Sequence, residues 1–172
     1  SSELSFSNSP AYPPKLFNYG NSDFNMVLMG SGYFQCIPQA INVGALSNNT
    51  KNNKIVLIIS PQWFTHDGLT SESFCSRFEE TNFVEFLKND SISKETRIAV
   101  ANRVNELLTS DPTALARVEK DERLYIDGSL NLLTRLEMAA YNSFRAEKAK
   151  FETAHALKSQ DLPIEQERYV KA

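Results

Sequence analysis

"KIVLIISPQWF", Lys54 to Phe64, is the stretch on which the fold reading turns. Residues 55–59 are apolar and mostly β-branched, with no polar residue between them. A half-buried strand alternates, whereas a strand covered on both faces reads as an unbroken apolar run. Ser60-Pro61 closes it, because Pro61 has no N–H to give to a ladder. The expectation is a strand over 55–59 buried within a parallel sheet.

Working outward, "FNMVLMGSG" is a second short apolar run, Phe24 to Met29, that stops at Gly30 and Gly32. "YFQCIPQAINVGAL" follows and reads as a helix whose start Pro38 restricts, and "SNNTKNNK" is a polar turn. Strand, glycine turn, helix and strand make a βαβ unit, which predicts an α/β fold with a parallel sheet. Residues 1–22, with Pro10, Pro13 and Pro14, read as loop.

From residue 91 the pattern becomes helical. Ser91 or Ser93 can cap a helix, with Ile92, Ile98, Ala101, Val104, Leu107 and Leu108 roughly on one face. Asp111-Pro112 reads as the cap and first-turn proline of another helix. Residues 129–158 carry Leu133, Leu136, Ala140, Phe144 and Phe151 at spacings of three, four and seven, a long amphipathic helix. The sign-alternating "RAEKAKFE" marks a solvated face; the alternative is that exposed apolar positions there contact a partner. The expected organisation is residues 1–90 as a βαβ core holding the site motifs and 91–172 as mainly helix.

The formal net charge of −3 and the lack of a Lys/Arg run argue against nucleic-acid binding. Cys36 and Cys75 have neither zinc nor redox-motif spacing and read as unpaired thiols. No apolar run approaches the ~20 residues that span a bilayer. No metal or cofactor is expected from the residues.

In α/β sheets ligands gather at the carboxyl ends of the strands. Three small polar clusters fit such positions: Ser1-Ser2, Gly30-Ser31-Gly32 and Ser60-Pro61-Gln62. A serine hydroxyl, a closely approached glycine amide and a glutamine side-chain amide are the parts that acyl transfer needs, a nucleophile and oxyanion donors. Each cluster also has a plain reading as a turn or a solvated terminus. Their order matches the SGNH (GDSL-type) hydrolases, in which a nucleophile Ser, an oxyanion Gly and an oxyanion Asn follow successive strands.

"SSELS", "VLMGSGYFQ" and "KIVLIISPQWF" together resemble the DltD family, which serves the D-alanylation of teichoic acid in Gram-positive bacteria. The resemblance runs in order along the whole chain, and "ISPQWF" carries most of its specificity. It implies an SGNH-hydrolase-like three-layer fold, here lacking the strand before Ser1 and the C-terminal block. The family's first motif, Gly-Ser-Ser-Glu-Leu, places the nucleophile at Ser2, with Ser1 in the position of the hydrolase Asp and as the alternative register. By the same match Gly32 offers its backbone N–H, and Gln62 stands where the hydrolases have their oxyanion Asn. Trp63 and Phe64 read as pocket wall or core.

A nucleophilic serine needs a base, and the family carries an Asp-x-x-His near its C-terminus. No such motif occurs in residues 1–172, whose histidines are His66, beside Asp67, and His155, on a helix between two alanines. Residues 1–172 alone are therefore expected to be inactive. The resemblance implies an extracytoplasmic protein of the cell membrane with an N-terminal anchor upstream of Ser1. Its implied partners are lipoteichoic acid, the D-alanyl carrier protein and a membrane-bound O-acyltransferase. The alternative is a non-catalytic protein that holds the carrier or teichoic acid on a degenerate hydrolase fold.

Overall fold

The computed structural model describes residues 29–30, 34–47, 54–64 and 68–159, without the side chains of 62 and 153–159. Residues 33–149 form one compact unit, and residues 1–32 with 150–172 form a second. Of the second unit only Met29, Gly30 and the last turns of the final helix are described.

The 33–149 unit is helical. It contains α1 (Cys36–Leu46), a 3₁₀ turn (Pro61–Trp63), α2 (Ser71–Cys75), α3 (Glu80–Lys88), α4 (Lys94–Leu107), a 3₁₀ turn (Leu108–Ser110), α5 (Pro112–Glu122) and a π turn (Arg123–Asp127). The last helix, α6 (Leu132–Ser159), begins in this unit.

The expected α/β fold with a parallel sheet is corrected here: the described residues contain no strand. Residues 54–60 run without regular structure, and Ile55, Val56, Leu57, Ile58 and Ile59 are all exposed, Val56 at 88%. A strand exists through its neighbours' hydrogen bonds, and a run patterned for burial has no sheet without them. The other expected strand, 24–29, lies outside the described residues except for Met29, which is exposed.

Helix starts follow their local chemistry. Thr70 accepts from Ser73 N–H at 3.3 Å to open α2, Ser93 from Thr96 N–H at 3.2 Å to open α4, and Asp111 from Ala114 N–H at 2.9 Å to open α5. Each satisfies a first-turn donor that has no partner within its own helix. Pro112 at the first position of α5 loses nothing, because that N–H would be unpaired anyway. Pro38 sits in the first turn of α1, where a proline is likewise tolerated.

The core joins residues from both sides of position 90. A row of aromatic rings, Phe74, Phe78, Phe83 and Phe86, runs through it with successive centroids 5.2, 5.7 and 6.3 Å apart. Leu87 from α3, Ala101 and Val104 from α4, Leu108, and Ala114 and Val118 from α5 close around Phe74, Phe83 and Phe86. Asn89 fastens α1 to this core by donating from Nδ2 to Gly44 O at 2.7 Å and to Ser47 Oγ at 2.8 Å.

Candidate functional site

Ser60 is extended (φ −94°, ψ 134°), and Pro61 then fixes the next φ, so the chain turns at once into the 3₁₀ turn Pro61–Trp63. Trp63 N–H donates to Ser60 O and Phe64 N–H to Pro61 O, both at 3.1 Å. The turn holds the Gln62 backbone at its middle. Trp63 behind it is half-buried, whereas Phe64 is exposed. An apolar ribbon, 55–59, thus leads directly into the turn that bears Gln62.

Ser1, Ser2 and Gly32 lie outside the described residues, as does the side chain of Gln62. His66 lies outside them too, and His155 is described only as a residue of α6. Of the five sequence-predicted site residues, Trp63 alone has a described side chain. Among the described residues no group of His, Cys, Asp and Glu is arranged to hold a metal ion. No described helix is long and apolar enough to cross a membrane. A shallow depression lined by Phe34, Pro38, Ile41, Arg77, Phe78 and Glu79 has room for about one water molecule. That is far too little for a small-molecule ligand.

The strongest electrostatics lie elsewhere, where α3, α5 and α6 meet. Glu80 is gripped by two arginines: Arg145 Nη1 donates to its Oε1 at 2.6 Å and Arg117 Nε to its Oε2 at 3.0 Å. Beside them Asp121 is fully buried. Its Oδ1 accepts from Asn142 Nδ2 at 2.7 Å, and among the described residues its Oδ2 has no partner. Burial disfavours the charged form, and the Asn142 hydrogen bond only partly opposes it. The Asp121 carboxyl is pushed up to about 6. Burial likewise raises Glu122, against the hydrogen bond from Asn105.

Sequence reasoning passed over this cluster, although it left a trace. Ala114, Val118 and Asp121 occupy one face of α5 at spacings of four and three, so an aspartate stands where the stripe calls for an apolar residue.

A family described as DltD protein matches residues 1–171. The chain belongs to the DltD family. Protein DltD of Staphylococcus aureus (strain NCTC 8325 / PS 47) is 31% identical over 104 residues, 60% of this chain and 26% of that protein. Protein DltD of Bacillus subtilis (strain 168) is 31% identical over 93 residues, 54% of this chain and 24% of that protein. The chain thus matches about a quarter of the length of these two DltD relatives. No solved structure matches it.

Proposed function

We propose that this DltD-family chain takes part in the D-alanylation of lipoteichoic acid as the nucleophile-bearing portion of an extracytoplasmic acyl-transfer protein. The observation that carries the reading is the family match over residues 1–171, which takes in all three motifs in order. In the proposed step Ser2 Oγ bonds to the D-alanyl carbonyl carbon while the bond from that carbon to its donor breaks. The Ser2 proton passes through a base to the leaving donor. A teichoic acid hydroxyl then attacks the Ser2 ester, takes the D-alanyl group and returns a proton to serine.

The Gly32 N–H and the Gln62 amide stabilise the oxyanion of both tetrahedral intermediates. Trp63 lines the approach, and Ser1 neighbours the nucleophile. Residues 1–172 lack the Asp-x-x-His base motif, so on their own they are catalytically silent. The donor reaches Ser2 through the D-alanyl carrier protein and a membrane-bound O-acyltransferase, at the outer face of the cell membrane. Added ammonium groups lower the wall's negative charge and its attraction for cationic peptides.

Deletion of the gene in its host tests this. The expected result is loss of alkali-labile D-alanine from lipoteichoic acid, restored by the intact gene; unchanged D-alanine would refute the reading. The alternative reading is a protein that only holds carrier or acceptor. That alternative predicts that the gene is required while Ser2 is dispensable.

A further inference from the structure

Helix α6 is mounted with its apolar side away from the body it joins. At about 100° per residue, Leu133, Leu136 and Phe144 fall on one side, and all three are at least 61% exposed. Met138, Asn142 and Arg145 fall on the opposite side and face the body; Met138 and Asn142 are buried. The attachment is therefore chiefly polar: Asn142 to Asp121, Arg145 to Glu80, and a 3.5 Å contact from Arg145 Nη2 to Thr81 Oγ1.

The connection to α5 is built to turn. The π turn 123–127 ends at Gly128, whose φ of +65° suits glycine, and Ser129 N–H closes it on Arg123 O at 3.1 Å. Residues 128 and 129 are exposed. A swing about this joint would leave the core cluster of Phe74, Phe83, Val104 and Val118 untouched, because no described α6 side chain belongs to it.

We propose that residues 132–149 form a pH-gated arm, seated on the α3–α5 body through Asn142 while Asp121 is protonated and released when Asp121 ionises. In the seated state Asp121 is sealed from water, with one oxygen unpartnered. An ionised carboxylate there loses its hydration, whereas lifting α6 restores it.

The charged groups around Asp121 divide. Glu80 from α3 and Glu122 from α5 favour the neutral form. Arg117 from α5, Arg145 from α6 and, more weakly, Lys88 from α3 favour the anion. The Tyr125 hydroxyl of the π turn reaches the same site through Asn142 Nδ2 at 3.4 Å. Burial outweighs them all, so the seated state holds its proton more tightly than the lifted state.

The sign follows from linkage. A carboxyl near 6 when seated and near the ordinary 3.8 when lifted favours seating at low pH and loses that bias as pH rises through about 6. Between pH 5 and 7.5 the seating equilibrium weakens by about ten-fold.

Amide hydrogen exchange of the 132–149 peptides in the complete protein, corrected for intrinsic rates, reads this directly. The wild type is expected to lose about ten-fold of its protection from pH 5 to 7.5, and Asp121→Asn to show a flat profile. Protection that ignores pH in the wild type, or the same fall in Asp121→Asn, overturns the proposal. Should Asp121→Asn fail to fold, Asn142→Ala decides. It is expected to lower α6 protection at pH 5 while the 80–122 peptides stay protected. Retention of the wild-type profile refutes the arm.

Discussion

Phe86 Cδ2 and Cε2 lie against Gly44, where α1 packs on α3. A Cβ on residue 44 would sit 2.9 Å from Phe86 Cε2 and 2.8 Å from Ile92 Cδ1. Real Cβ atoms do not approach so closely, so glycine is required here by contact with a neighbouring helix rather than by its own backbone. Gly44→Ala should cost about 1–3 kcal/mol through overpacking. Urea unfolding checks it: a cost below ~0.5 kcal/mol would show that α1 does not press on α3 as described.

Truncation within the aromatic row should be felt more strongly. Phe83 is wholly buried between Phe78 and Phe86. Phe83→Ala is expected to cost about 3–5 kcal/mol from lost transfer energy and the cavity left behind. Thermal unfolding followed by circular dichroism measures it.

The two sides of α6 should respond unequally to the same change. Leu133→Ser or Phe144→Ser, on the exposed side, should alter unfolding free energy by no more than about 0.5 kcal/mol. Met138→Ser, buried on the other side, should cost roughly 2 kcal/mol or more. A reversed order would mean that the helix is seated the other way round.

Asp121 also leaves a mark on global stability. Its folded value of about 6 stands above the ordinary 3.8, so the folded state binds the extra proton between those values. The stabilisation from Asp121 is fully present below about pH 3.8 and disappears as pH rises through about 6. Asp121→Asn carries no such dependence, so its stability relative to wild type should climb across that window, by at most about 3 kcal/mol. Paired urea titrations at pH 4 and 7 test the sign; a difference that falls with rising pH contradicts it.

Much of the helical half was legible because caps and periodicity are local signals. Ser91 or Ser93 announces α4 and Asp111 announces α5; Ser93 and Asp111 accept the first-turn hydrogen bonds. The 55–59 run misled for the complementary reason. Its composition records the environment a segment suits, whereas a sheet depends on partners that composition does not contain. For α6 the spacing of Leu133, Leu136 and Phe144 revealed an apolar side, but not that Asn142 and Arg145 would dock the opposite one. That outcome depends on Asp121 and Glu80, carried by α5 and α3, and no pattern internal to α6 encodes it. The motif residues Ser2, Gly32 and Gln62 are read from sequence order and family membership.

Complementation of the deletion strain with Ser2→Ala, alongside Ser1→Ala, tests the central claim most directly. Alkali-labile D-alanine on lipoteichoic acid should stay at the deletion level with Ser2→Ala and recover substantially with Ser1→Ala, both proteins being present at wild-type abundance. Full recovery with Ser2→Ala would contradict a covalent step on Ser2 and leave a role in holding carrier or acceptor.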